Sequence, residues 1–83
     1  MKNELILYTR KDCCLCEEMK ITIREVAERI PLAIQEFDVD TSPELQEQYG
    51  NEVPVLFVNG RKAFKYRVTE KELETRLKKE TSV

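Results

Sequence analysis

The sequence has no histidine, and it contains only two glycines and three prolines among 83 residues. Without histidine the chain lacks the most common general base and the most common nitrogen ligand of zinc. No segment is rich enough in glycine, proline or serine to be a linker, and a chain of this length has room for one modest hydrophobic core. We therefore expect residues 1–83 to form a single domain.

Neither sign of charge is in large excess, because 14 basic and 16 acidic residues are mixed along the chain and give a net charge of −2. This balance provides neither the clustered basic face of a nucleic-acid-binding protein nor a long acidic tail, so we expect no nucleic-acid partner. Long apolar runs are also lacking. The apolar run nearest the N-terminus, Leu5–Tyr8, is too short for a signal peptide or a membrane span. The sequence therefore predicts a cytoplasmic protein without a membrane partner.

The first half of the chain predicts two strands with a helix between them. The near-continuous apolar run Leu5–Thr9 favours a strand that is central in a sheet and buried on both faces. Helical spacing follows up to Pro31, and the predicted buried stripe consists of Leu15, Met19, Ile23, Val26, Ala27 and Ile30. Ala33–Asp40 is typical of a second strand, with Phe37 and Val39 directed inward.

The middle of the chain predicts a short helix and then a hairpin. Ser42 and Pro43 are typical of the first positions of a helix, and Gly50 is typical of its end. Val53–Val58 carries the strongest strand pattern of the chain. The pair Asn59-Gly60 that follows favours a two-residue hairpin turn, because both positions of such a turn need positive φ.

The last part predicts the returning strand of the hairpin and a final helix. In residues 61–68 the period of two places Phe64, Tyr66 and Val68 on one face and cationic residues on the other, which suits an edge strand. Thr69 and Glu72 have the spacing of a capping box that begins a helix. The resulting topology is a four-stranded mixed sheet with the first strand central, the second strand parallel beside it, and the hairpin on its other side.

All three cysteines, Cys13, Cys14 and Cys16, lie within four residues and cannot cross-link distant parts of a fold. Such a cluster indicates redox chemistry or metal binding. We expect no metal, because three thiolates without histidine cannot complete a tetrahedral zinc site within one chain. Cys14 is expected to be a spacer or bystander thiol, with a second resolving role or glutathionylation as alternatives. Packing of the cysteines as small apolar residues is a further alternative.

Cys13 and Cys16 meet the requirements of a thiol–disulfide exchanger. Two intervening residues at the start of a helix bring the sulfurs together, and the free N–H groups of the first turn favour the thiolate of Cys13. Arg10 and Lys11 add positive charge against Asp12, so we expect a net effect in the same direction. Cys13 is therefore the predicted nucleophile, and Cys16, inside the first turn and more buried, is the predicted resolving thiol.

The run Leu7–Cys16, followed later in the chain by Val53–Gly60, resembles the glutaredoxin family of the thioredoxin fold. A CxxC pair after a strand, together with Val-Pro before a hairpin, is more specific than CxxC alone. The resemblance implies a thioredoxin-like α/β fold of order β-α-β-α-β-β-α, with a four-stranded mixed sheet flanked by three helices. It also implies a thiol–disulfide oxidoreductase whose catalytic residues are Cys13 and Cys16.

Three further residues are assigned to substrate binding by the resemblance. Pro54 is expected to be cis and to face the cysteine pair, so that Val53 and Pro54 leave backbone groups free for an extended peptide or for glutathione. Arg10 stands where the family has a lysine, and it is expected to bind a substrate carboxylate.

Two features of the family are absent from this sequence. The usual proline and tyrosine between the cysteines are replaced by Cys14 and Leu15. The Gly-Gly pair and the acidic residue that hold glutathione after the hairpin have no match, and Phe64, Lys65 and Arg67 stand there instead. Glutathione alone is therefore expected to be a poor reductant.

The expected partners are a disulfide-containing protein or small molecule and a reductant, which is either glutathione or an enzyme of the thioredoxin reductase type. We expect a monomer with no bound cofactor. Two other functions stay open from the sequence: a dimeric iron–sulfur or metal carrier that uses the same thiols, and a binding module that keeps the fold without catalysis.

Overall fold

A computed structural model describes residues 3–81 of the chain. Its elements are, in order, β1 (Asn3–Thr9), α1 (Cys14–Ala27), β2 (Leu32–Asp38), a 3-10 turn (Val39–Thr41), α2 (Pro43–Tyr49), β3 (Val55–Val58), β4 (Arg61–Lys65) and α3 (Glu70–Thr81). The predicted succession β-α-β-α-β-β-α is confirmed. Residues 1, 2, 82 and 83 of the predicted single domain lie outside the described residues.

The four strands form one mixed sheet in the order β2-β1-β3-β4. β1 is parallel to β2 and antiparallel to β3, and β4 is antiparallel to β3 at the far edge. The hairpin turns through Asn59 and Gly60, whose φ angles are 49° and 86°. Asn59 also ties the turn to β1, because its Oδ1 accepts a hydrogen bond from the Glu4 N–H at 2.8 Å. The predicted topology is confirmed.

The core lies on one face of the sheet, beneath α1 and α3. Its buried residues are Leu5, Leu7, Met19, Ile23, Val26, Leu56, Val58, Val68, Leu73 and Leu77. Two predictions about this core are wrong. Ala27 is exposed, because the buried stripe of α1 passes through its neighbour. β1 is fully buried on the core face alone, and Ile6 and Tyr8 on its other face are half-buried because less of the chain covers them.

Aromatic residues pack on the opposite face of the sheet, next to α2. The Tyr8 ring stacks on Tyr49 with centroids 4.6 Å apart, and it lies 5.6 Å from Phe57 and 5.9 Å from Phe37. Phe37 is nevertheless 42% exposed, because β2 is an edge strand, so the prediction that it points inward is wrong. Val39 is buried as predicted, but it lies in the 3-10 turn and not in a strand.

β4 is shorter than the sequence predicts. One extra residue on β4, Ala63, makes a β-bulge opposite β3. The bulge interrupts the alternation of faces, and Ala63 and Phe64 both pack partly against the core. Tyr66 then takes a φ of 69°, which ends the strand, and Val68 is buried from the loop that follows. The predicted strand over residues 61–68 is therefore wrong in its last part, and so is the shared face of Phe64, Tyr66 and Val68.

Local capping contacts begin the second and third helices. The Ser42 hydroxyl accepts from the Leu45 N–H at 3.5 Å at the start of α2. At the start of α3 the Glu72 N–H donates to Thr69 Oγ1, and the Thr69 N–H donates to Glu72 Oε1, both at 3.1 Å. The predicted capping box is thus confirmed. Within residues 3–81 we find no helix with the length and apolar character needed to cross a membrane.

Candidate active site

Cys13 lies between β1 and α1 and is the N-cap residue of the helix. Its backbone is extended, with φ of −106° and ψ of 108°, and its Sγ accepts a hydrogen bond from the Cys16 N–H at 3.2 Å. The sulfur thus takes the place of the oxygen that a serine or aspartate usually provides at a helix start. Because the first-turn N–H groups have no helical acceptor, the sulfur provides an acceptor for one of them. The predicted proximity of Cys13 and Cys16 is confirmed.

Cys16 is the buried member of the pair, with only 1% of its surface exposed. Burial, followed by the hydrogen bond with Cys13, raises the pKa of the Cys16 thiol to about 12, although the Arg10 backbone and the charge of Lys20 act in the opposite direction. Cys16 is therefore a neutral thiol at pH 7. Cys13 is half-buried, Cys14 is exposed, and all three are free thiols. The prediction that Cys16 is more buried than Cys13 is confirmed.

The Val53–Pro54 segment lies at the same end of the sheet as the start of α1. Because Tyr8 pairs antiparallel with Val55, the residues after Tyr8 and those before Val55 meet at this edge. The Val53–Pro54 peptide bond is cis, as predicted. Within residues 3–81 the backbone N–H and C=O of Val53 have no hydrogen-bond partner, so they are available to an extended ligand. The role of Val53 and Pro54 in substrate binding stays a prediction.

Arg10 follows β1 and is held by Asp40. The Arg10 Nε lies 3.1 Å and 3.2 Å from the two carboxylate oxygens of Asp40, and Nη2 lies 2.9 Å from Oδ1. Nη1 donates to the Gly50 carbonyl at 3.2 Å. The hydrogen bonds from Arg10 lower the pKa of the Asp40 carboxyl and raise that of the guanidinium. The binding of a substrate carboxylate by Arg10 stays a prediction, but Arg10 is already ion-paired.

Asp40 was missed by the sequence analysis, and it changes the charge balance near Cys13. The expected balance counted Arg10 and Lys11 against Asp12. Because Asp40 compensates the charge of Arg10, the positive charge of Lys11 and the negative charge of Asp12 remain. The expected excess of positive charge is therefore wrong. A signal was available, because Asp40 follows β2, and the carboxyl ends of the parallel neighbours β1 and β2 lie at the same edge of the sheet.

Tyr66 is a second residue near this edge whose position the sequence did not predict. Its φ of 69° is unusual for an aromatic residue. The Tyr66 N–H donates to the Pro54 carbonyl at 2.8 Å, and its hydroxyl donates to the Asn51 carbonyl at 3.3 Å. Tyr66 thus ties the segment after β4 to the loop before β3. A groove of about 270 Å³ lies beside it, between α1 and residues 66–69, with Leu15 on its wall.

The family model of the glutaredoxin-like domain (DUF836) matches residues 4–78. The chain belongs to this family. The thioredoxin-like fold is shared with several solved structures, and protein Ne2328 from Nitrosomonas europaea is 24% identical over 92% of both chains, with a TM-score of 0.79. Target protein XcR50 from X. campestris is 28% identical over 90% of this chain and 96% of its own, with a TM-score of 0.78. Desulfothioredoxin from Desulfovibrio vulgaris Hildenborough, in its reduced form, is 26% identical over 90% of this chain and 78% of its own, with a TM-score of 0.68.

In this glutaredoxin-like protein the residues that replace the glutathione-binding pattern have contacts of their own. Phe64 packs against the core, and the Lys65 Nζ lies 3.5 Å from Glu52 Oε1. Arg67 is exposed, and its N–H donates to the Lys65 carbonyl at 2.8 Å. The expectation that glutathione alone is a poor reductant stays a prediction.

One chain does not bring together a complete set of metal ligands within its described residues. Across residues 3–81 no three cysteine, aspartate or glutamate side chains are grouped so that they could hold a metal ion, and the sequence has no histidine. The three cysteines differ in exposure from buried to exposed, although they are close in sequence. The dimeric metal-carrier alternative, which takes ligands from a second chain, is not tested by the geometry of one chain.

Proposed function

We propose that this glutaredoxin-like protein is a thiol–disulfide oxidoreductase, with Cys13 as the nucleophile and Cys16 as the resolving thiol. The observation that carries the proposal is the hydrogen bond from the Cys16 N–H to the Cys13 sulfur at the start of α1. It gives the more accessible sulfur a hydrogen-bond donor, while burial keeps the second sulfur neutral. The two sulfurs thus differ in the way that their two proposed roles require.

In the first half of the reaction the Cys13 thiolate attacks one sulfur of a substrate disulfide. The substrate S–S bond breaks, a Cys13–substrate mixed disulfide forms, and the departing thiolate takes a proton from solvent. The free N–H and C=O of Val53 would hold an extended substrate segment by backbone hydrogen bonds, as an added strand is held at a sheet edge.

In the second half Cys16 loses its proton and attacks the sulfur of Cys13. The mixed disulfide breaks, the second substrate thiol leaves, and the two electrons gained by the substrate come from the Cys13 and Cys16 thiols, which are oxidised to a disulfide. The neutral, buried Cys16 thiol is a poor nucleophile at pH 7, so Cys13 is the sulfur that reacts first with a substrate. A reductant then restores the dithiol, and we propose that an enzyme of the thioredoxin reductase type has this role. We also propose that the glutaredoxin-like protein is a cytoplasmic monomer.

A coloured aromatic disulfide tests these assignments, with Cys14 replaced by serine throughout so that the exposed third thiol does not contribute. Cys14→Ser should release two coloured thiolates per protein and keep no adduct, because Cys16 resolves the intermediate. Adding Cys16→Ser should reduce the release to one and leave one adduct on Cys13, measured by intact mass and peptide mapping. Adding Cys13→Ser instead should slow the reaction strongly, since the remaining thiol is buried.

Two results would refute the proposal. One is an adduct on Cys16 that forms as fast as the adduct on Cys13. The other is a Cys14→Ser protein that retains the aromatic adduct, because that protein would have no resolving thiol. Turnover with a thioredoxin reductase and with glutathione, measured on the same oxidised protein, then identifies the reductant. Rapid turnover with glutathione alone would contradict the reductant proposed here.

A further inference from the structure

The edge of a guanidinium that clamps a carboxylate is already occupied in Arg10. Nε and Nη2 form the side-on edge, one of the two paired N–H edges with which arginine binds carboxylates, and both donate to Asp40 over 2.9 Å to 3.2 Å. The third nitrogen, Nη1, donates to the Gly50 carbonyl at 3.2 Å. A carboxylate on a substrate or reductant can therefore use this edge only by displacing Asp40.

Asp40 is held in place by more than Arg10. Its second hydrogen-bond donor is Gln46 in α2, whose Nε2 lies 3.1 Å from Asp40 Oδ1. Its backbone N–H donates to Asp38 Oδ1 at 2.8 Å, which fixes the start of the 3-10 turn. The carboxylate is thus positioned by the fold before any ligand arrives, so its displacement costs contacts that a ligand must replace.

The ion pair is close enough to Cys13 to affect ligands there and exposed enough to meet them. Arg10 stands three residues before Cys13, and the charge of Cys13 is one of the causes that raise the pKa of Arg10. The side chains of Arg10 and Asp40 are 40% and 38% exposed, respectively. Charges that act on each other in this way are partly screened at physiological salt, where the Debye length is about 8 Å.

We propose that Asp40 is a specificity-determining residue that disfavours anionic thiols and disulfides at Cys13 by occupying the carboxylate-binding edge of Arg10. This inference rests on the proposed function of Cys13 and Cys16. The inference concerns the charge of the partner. An anionic small thiol loses the Arg10 contact that would bind its carboxylate, whereas a neutral thiol has no such contact to lose. By competing for Arg10, Asp40 then disfavours glutathione at Cys13 independently of the missing Gly-Gly pair.

The test measures how fast three thiols reduce the Cys13–Cys16 disulfide. Each thiolate attacks the Cys13 sulfur and releases Cys16 as a thiol, and a second thiol then releases Cys13 and forms the reductant disulfide. The thiols are glutathione, which is anionic, 2-mercaptoethanol, which is neutral, and cysteamine, which is cationic. The measured quantity is the ratio of the glutathione rate to the 2-mercaptoethanol rate, because a general loss of structure changes both rates together.

Asp40→Asn keeps the shape of the side chain and removes the charge that holds Arg10. The ratio of the glutathione rate to the 2-mercaptoethanol rate should rise about threefold to fivefold, which is the size of one exposed charge contact. The ratio of the cysteamine rate to the 2-mercaptoethanol rate should not rise. The gain should shrink in 1 M salt. Glu44→Gln is the matched control, because it removes one exposed carboxylate from neighbouring α2 without touching Arg10. Arg10→Gln combined with Asp40→Asn should not raise the ratio of the glutathione rate to the 2-mercaptoethanol rate.

Three results would overturn the proposal: an unchanged ratio in Asp40→Asn, an equal rise in Glu44→Gln, or an equal rise in the double variant. The last result would mean that Asp40 repels anions by its own charge and not through Arg10. Failure of the proposed function looks different, since the disulfide of the unaltered protein would then resist all three thiols. If Asp40→Asn disturbs the fold by circular dichroism, Asp40→Ser replaces it with the same expected rise.

Discussion

Raising the pH of the reduced protein from 7 to 10 should lower its free energy of unfolding through the Cys16 thiol. In the folded protein burial raises the pKa of this thiol to about 12. In the unfolded chain the thiol is solvated and its pKa returns to about 8.5 to 9. Because the folded value is the higher one, ionisation favours the unfolded chain. The stabilising contribution is complete below about pH 8 and is lost as the pH rises toward 12.

The size of the effect follows from the two pKa values of Cys16. At pH 10 the thiol is more than nine-tenths ionised in the unfolded chain, and it is about 1% ionised in the folded protein. This difference corresponds to a loss of about 1.4 to 2 kcal/mol between pH 7 and pH 10. For a chain of 83 residues that is a substantial part of the total stability.

Urea unfolding at pH 7, 8, 9 and 10 under a phosphine reductant measures the effect. Because other ionisable groups also contribute to the pH dependence, the informative quantity is the difference between the unaltered protein and Cys16→Ala. That difference should fall by about 1.4 to 2 kcal/mol from pH 7 to pH 10. Cys13→Ser should keep most of the pH dependence, because burial and not the hydrogen bond is the larger cause of the shift. A difference between the two proteins that stays constant with pH would show that ionisation of Cys16 does not lower the stability of the folded protein.

Two further predictions concern backbone conformation and capping. Tyr66→Gly and Tyr66→Ala remove the same side-chain contacts, but only alanine is strained at a φ of 69°, so the glycine variant should be more stable by about 1 kcal/mol in urea unfolding. An alanine variant of equal stability would show that the backbone relaxes there. Thr69→Ala should cost about 1 kcal/mol, because the hydroxyl caps the Glu72 N–H, whereas Thr69→Ser should retain most of the stability. Equal losses in both Thr69 variants would argue against the hydroxyl as the source.

The parts of the fold that the sequence predicts well depend on contacts between near neighbours. The capping box of Thr69 and Glu72, the cap at Ser42 and the positive φ angles of Asn59 and Gly60 are all formed within a few residues. The change of hydrophobic spacing from strand to helix at Cys13 is also a local signal, because both the period and the helix cap depend on near neighbours. These signals predicted the order of elements and the position of the cysteine pair at a helix start.

The errors arise where a residue's surroundings depend on distant parts of the chain. Phe37 has the pattern of an inward residue, but its exposure depends on β2 being at the edge of the sheet. The bulge at Ala63 reflects how β4 fits against β3, and alternation along a single strand carries no information about it. Ala27 follows Val26 in the same helix, but it is exposed because the core that other elements complete lies beside Val26.

The local sequence is sufficient to bring the two sulfurs together, because Cys13 and Cys16 need only one helical turn to meet. Packing between distant parts of the chain determines how those sulfurs differ in burial and which charged residues surround them. Burial beneath packed elements raises the pKa of Cys16, and the parallel pairing of β1 with β2 brings Asp40 to Arg10 across thirty residues of chain. Desolvation and long-range ion pairing depend on which distant residues the fold brings into contact, and no local pattern of residues contains that information.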